Sequence, residues 1–157
     1  MIELTSTPII ILAILGGVGV ALPVINVALK ERGSMISYGI VTLIALFAAI
    51  GYVFYQLALD HVAPAAIFSQ DVLVDDAFGS LFAIAMLIVA IFTTVGSFSY
   101  MKNKANPSIY FSLILLSAIG MVLVAYSTDL VMLFVAWELM SIPTYILVGF
   151  LKKDPIS

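Results

Sequence analysis

The sequence predicts an all-α membrane protein of five transmembrane helices, with its N-terminus outside and its C-terminus cytoplasmic. Three observations carry this reading. Of 157 residues, 64% are hydrophobic and 10% charged, whereas soluble domains run at about half apolar and about a quarter charged. The apolar residues form five long runs, each close to the roughly 20 residues that cross a hydrocarbon core as helix. All the basic residues fall in the loops of one side. A soluble fold of this size would need polar outer faces on its helices, and these runs have none.

The first run covers residues 8–29. Glu3 is the only charge before it, and the run is too long for the apolar part of a cleaved signal peptide. The second covers residues 36–59, the third 77–100, the fourth 108–126 and the fifth 130–151. Each is apolar on every side, which suits lipid contact and burial between helices alike. The short alternating segments of a membrane barrel do not appear. The glycines and prolines inside the runs do not end them, because lipid offers the backbone no other hydrogen-bond partner. Between the second and third runs, residues 60–76 form the longest loop, in which the alternation Asp71-Val72-Leu73-Val74-Asp75 predicts a strand-like piece. No internal repeat, linker or second domain interrupts residues 1–157, which read as a single transmembrane region.

Charge sets the orientation. Lys30 and Arg32 follow the first run, Lys102 and Lys104 the third, and Lys152 and Lys153 the fifth. The positive-inside rule makes that side cytoplasmic. Glu3, Asp60, Asp71, Asp75, Asp76 and Asp129 lie opposite. With no Cys and a single His, His61, these residues cannot hold a thiolate-bound iron–sulfur cluster or a bis-histidine haem. No phosphate loop, metal-ligand spacing or nucleophile motif occurs, and nothing points to nucleic acid. The expected surroundings are a lipid bilayer.

One ionisable residue lies well inside a span. Glu138 is eight residues beyond Leu130, or roughly 12 Å along the helix, which places it near the midplane. A charge there costs on the order of 3 kcal/mol on insertion scales, so it should face other helices or water, and such residues are functional by default. A blander role is a protonated Glu hydrogen-bonded between helices. Ser141 and Tyr145 fall on its helical face and supply hydroxyls. Pro143 deprives the Leu139 carbonyl of its usual donor and predicts a helix kink within one turn of Glu138. Trp137 is too deep for an interfacial belt and is expected to pack.

Other residues read as structural. Ala13, Gly17 and Ala21 form a small-residue ridge expected to meet another helix. Asn26 is expected as a capping or interfacial group near a helix end. Asp75 and Asp76 read as an N-terminal charge and cap of the third helix, and Asp129 as the N-cap of the fifth. His61 reads as a solvated loop residue.

The stretch Trp137-Glu138-Leu139-Met140-Ser141-Ile142-Pro143-Thr144-Tyr145, preceded by Asp129-Leu130 and followed by Lys152-Lys153-Asp154-Pro155, resembles the antiporter-like membrane subunits of the complex I family, the N-type subunit above all. Val74-Asp75-Asp76-Ala77-Phe78 is similar to that family's Val-Asp-Gly-Phe pattern ahead of the third helix, and residues 117–129 to its fourth helix and the following turn. The likeness is good from Asp71 onward; before it, hydropathy and helix count alone agree. It implies a non-redox, proton-translocating membrane subunit, or its N-terminal part, of an oxidoreductase that uses NADH, a reduced deazaflavin or ferredoxin as donor and quinone as acceptor. The chain itself would bind no cofactor and no metal. Flavin, iron–sulfur clusters and quinone would belong to partner subunits, in a multi-pass assembly of a prokaryotic plasma membrane.

In that family a glutamate on the fifth helix pairs with a lysine on a later, broken helix, and Glu138 matches it. The first three helices would then be peripheral and the last two would open the antiporter-like repeat. Family members have many more helices and carry the lysines on them. The resemblance therefore implies a split subunit or a fragment, with a partner chain supplying the missing helices. Two other roles remain open on the sequence: a subunit of a multisubunit cation/proton antiporter, and a structural assembly subunit without a proton path.

Overall fold

The computed structural model describes residues 7–28, 34–59, 72–102 and 106–150. They form five α-helices: α1 (Thr7–Ala28), α2 (Met35–Ala58), α3 (Ala77–Tyr100), α4 (Pro107–Tyr126) and α5 (Leu130–Gly149). Each is long and apolar enough to cross a membrane. Their bounds fall within two residues of the apolar runs, as expected where lipid forces every backbone group to pair within its own helix.

Local chemistry sets the ends. The Asp76 carboxylate accepts a hydrogen bond from the Gly79 amide (2.8 Å) and caps α3. Asp129 caps α5 by accepting from the amides of Val131 (3.0 Å) and Met132 (3.2 Å). Both are the caps the sequence predicts, and each satisfies donors that a helix start leaves open. Before α4, Asn106 sits in the left-handed region (φ 57°), which Asn tolerates better than most residues. Pro107 follows at the first helical turn, where its missing N–H costs nothing.

α4 lies at the centre and packs against each of the other four helices, whereas α5 touches α4 and no other helix among the described residues. The core is built from Leu15 of α1, Leu46 of α2, Leu87 of α3, and Phe111 and Leu115 of α4, all essentially without solvent exposure. Large side chains on the outer faces, such as Phe47, Phe92 and Val20, remain exposed, as lipid contact allows.

α1 meets its neighbours through a face other than the expected one. Ala13 and Gly17 are exposed, and a side chain added at Gly17 would touch nothing, whereas Ile11, Leu15, Gly19, Leu22 and Asn26 are buried. The larger residues bury more surface, and the close approach that a small residue permits is made at Gly19, whose carbonyl accepts a hydrogen bond from the Ser112 hydroxyl of α4. Asn26, expected as a capping or interfacial group, pairs with a second helix. It is buried and accepts a 2.6 Å hydrogen bond from the Tyr38 hydroxyl of α2, since an amide this close to a second helix is cheaper paired than exposed to hydrocarbon.

Hydroxyls knit the remaining pairs. Tyr126 of α4 donates to Ser80 of α3 (3.2 Å), and Tyr110 of α4 lies 3.2 Å from the Ser97 hydroxyl of α3. Ahead of α3, Leu73 forms an isolated antiparallel bridge with Ser127. The Val74 amide donates to the Tyr126 carbonyl (3.0 Å) and the Thr128 amide to the Val72 carbonyl (3.2 Å). The expected strand-like piece is therefore present over 72–75, pinned to the α4–α5 turn; Asp71 lies outside the described residues, as do Glu3, Asp60, His61 and every basic residue but Lys102. The Thr7 amide donates to Asp75 (2.9 Å), which brings the start of α1 to the start of α3. The starts of α1, α3 and α5, with Asp75, Asp76 and Asp129, thus share one end of the bundle, and exposed Lys102 after α3 lies at the other.

Candidate functional site: a mid-span carboxylate on α5

α5 docks on α4 through Ala136, Met140 and Pro143. The contact is closest at Gly120 of α4, where an added Cβ would lie 2.4 Å from the Met140 nitrogen and 2.9 Å from the Ala136 carbonyl oxygen. Only a glycine lets the two backbones approach so closely. Beside it, the Thr144 hydroxyl donates to the Met140 carbonyl (2.8 Å). The Ser117 hydroxyl of α4 reaches the same carbonyl and the Thr144 hydroxyl, both at 3.3 Å. These hydroxyls gather one turn from Glu138 at the position of Pro143, which is buried inside the continuous helix. Ser117, Gly120 and Thr144 complete the site's support; in the sequence they fall within the stretches that carry the resemblance, which gives them no individual role. For Thr144 the spacing was a further signal: it follows Met140 by four residues, the reach of a hydroxyl to a helix carbonyl.

Glu138 points the other way. It is two residues, or about 200°, around the helix from Ala136, and so faces away from α4. It is half-buried, and lies in a groove of about 640 Å³ lined, among the described residues, by Leu130, Val131, Leu133, Phe134 and Trp137. Ser141 and Tyr145 share its face, as the spacing predicts. The Ser141 hydroxyl donates to the Trp137 carbonyl (2.8 Å), so its proton is engaged within the helix while its oxygen can still accept. Tyr145 is 72% exposed and Trp137 55%. The expected packing of Trp137 is therefore not made by the described residues: α4 meets α5 through Ala136 and Pro143, and no other described helix reaches the tryptophan.

Among the described residues Glu138 has neither a hydrogen-bond donor nor a cation. No described group of three or more His, Cys, Asp or Glu residues is placed to hold a metal. Chemically, the site offers a proton-binding oxygen pair in mid-span, flanked by two hydroxyls on an otherwise apolar face. Such a carboxylate can take up a proton or act as counter-ion to a cation carried by another helix.

Fold and site together define a multi-pass helical membrane protein with a single carboxylate held in the middle of a span among the described residues. No family model matches the chain. It is similar over almost its whole length to curated proteins: 33% identical to NADH-quinone oxidoreductase subunit N 1 of Solibacter usitatus over 94% of the chain and 29% of that protein. To NADH-quinone oxidoreductase subunit N of Desulfitobacterium hafniense it is 34% identical over 99% of the chain and 30% of that protein. To F(420)H(2) dehydrogenase subunit N of Methanosarcina mazei it is 35% identical over 58% of the chain and 18% of that protein. The chain is a homologue of subunit N of these dehydrogenases, and it spans about three tenths of the length of the first two.

Proposed function

We infer that this chain is a membrane subunit, or part of one, in a complex I-type dehydrogenase, and that it serves proton translocation and not electron transfer. The observation that carries the reading is the position of Glu138: mid-span, on the face of α5 turned away from α4, within a stretch that resembles the family's fifth helix. Its expense in lipid demands that this face meet protein or water. The relatives are subunits of oxidoreductases by name, which favours this reading over a free-standing cation/proton antiporter or an inert scaffold.

In the proposed mechanism Glu138 stays ionised while a lysine ammonium from a later helix lies beside it. The carboxylate holds that lysine protonated. When the pair separates, the ammonium N–H bond breaks, the proton passes to water, and the neutral amine is recharged from the other side. Because the two groups titrate as a pair, the pKa values that govern transfer belong to both. Ser141 and Tyr145 order water or hold the carboxylate, and Pro143 with Ser117 and Thr144 supports the helix behind it. Flavin, iron–sulfur clusters and quinone belong to partner subunits, the basic end of the bundle faces the cytoplasm, and the complex sits in the plasma membrane.

The test is Glu138→Gln in the intact complex, assayed in sealed vesicles for quinone reduction and proton uptake together. Proton uptake per electron should fall while quinone reduction continues and the complex stays assembled. An unchanged ratio in an assembled complex would overturn the proton-path role. Absence of flavin and iron–sulfur absorbance from the purified assembly would instead favour the antiporter.

A further inference from the structure

A second concave surface lies at the acidic end of the bundle, away from Glu138. It is a cleft of about 260 Å³ between α3 and α4, lined among others by Asp76, Tyr126, Phe78, Phe82, Met86 and Val124. Phe78, Phe82 and Met86 recur every four residues and so form one stripe of α3. From Asp76 to Met86 the stripe runs ten residues, roughly 15 Å down the helix. The phenyl rings of Phe78 and Phe82 touch, with centroids 4.7 Å apart, and both are largely exposed. A carboxylate at the start of α3 thus stands over an apolar track that runs down a membrane-spanning helix.

The charge at this end is unbalanced. Asp75, Asp76 and Asp129 lie here, and the one described cation, Lys102, is at the opposite end. In the sequence, every Lys and Arg follows the end of α1, α3 or α5, never its start. One oxygen of Asp76 caps α3; the other has no hydrogen bond to a described residue. A carboxylate over an apolar track selects an amphiphile with a cationic head, and disfavours one whose net charge is negative.

We propose that this cleft is a binding site for a phospholipid with an ammonium head group, with the ammonium on Asp76 and one acyl chain along Phe78, Phe82 and Met86. The site is independent of the proton-path role, so Glu138→Gln should leave it intact. The experiment uses the intact complex in nanodiscs of mixed phosphatidylethanolamine and phosphatidylglycerol, each in turn doped with a photoreactive acyl analogue. Phosphatidylethanolamine should label residues 78–86, and phosphatidylglycerol should label them about threefold less, as expected for one partly solvated ion pair. Asp76→Asn should erase that difference while the helix stays capped, because Asn caps as well as Asp. Met86→Trp should lower labelling by both lipids by filling the track. Equal labelling by the two lipids in the unaltered complex would overturn the proposal. So would cross-linking of this stretch to another protein segment instead of to lipid.

Discussion

A methyl group at Gly120 would collide with the backbone of Met140, because the nearest atom there is a main-chain nitrogen at 2.4 Å that no rotamer change can move. Gly120→Ala should therefore push α5 from α4 at a cost of about 1–3 kcal/mol, the usual penalty of overpacking. Gly17→Ala, on the open side of α1, should cost almost nothing. Thermal inactivation of the two variant complexes would separate them, and equal inactivation would show that the α4–α5 contact yields easily. Glu138 itself was readable from the sequence, since one acid in a twenty-residue span with no other charge announces its own cost. Gly120, Ser117 and Thr144 were not, because small and hydroxylated residues occur throughout these spans and only packing decides which of them meet. The same holds for Trp137, whose expected neighbour is not among the described residues.

Helix bounds follow closely from hydropathy because every span must satisfy its own backbone, so one physical constraint sets both ends. Which side of a helix packs is set by its partners, and a lipid-facing side is as apolar as a buried one. That is why α1 presents Ile11, Leu15 and Leu22 to its neighbours and leaves Ala13 and Gly17 outside. Caps are more predictable, since an Asp just before an apolar run has one obvious use. Asp129→Ala should remove acceptors from two amides and destabilise the first turn of α5 by about 1 kcal/mol. Hydrogen exchange at Val131 and Met132 should accelerate in that variant and stay slow in Asp129→Asn. Between helices the effect should be smaller. Tyr126→Phe loses the bond to Ser80, and interhelical bonds in membranes average about 0.6 kcal/mol. Its complex should remain assembled with only a slight loss of thermal stability; failure to assemble would mean that Tyr126 does more than join α3 to α4.

The bundle is asymmetric in how it is covered. Four helices surround one another through α4, whereas among the described residues α5 lies against α4 alone and turns Val131, Phe134, Trp137 and Glu138 outward. If that face met lipid, the carboxylate would bear its full cost; if it meets other helices of the complex, the same residues form a protein contact with the charge inside it. The outer face of α2, with Phe47 and Phe54, carries no acidic or basic residue and has no such requirement. A photo-crosslinking residue in place of Phe134 in the intact complex should therefore capture another protein segment, and the same residue at Phe54 should capture lipid. Since the chain contains no cysteine, the result can be checked with Val131→Cys, which would be the chain's single thiol and should pair with a cysteine on the captured segment. Lipid adducts at both Phe134 and Phe54 would leave Glu138 without a protein surround, and the paired-charge mechanism would fall with it.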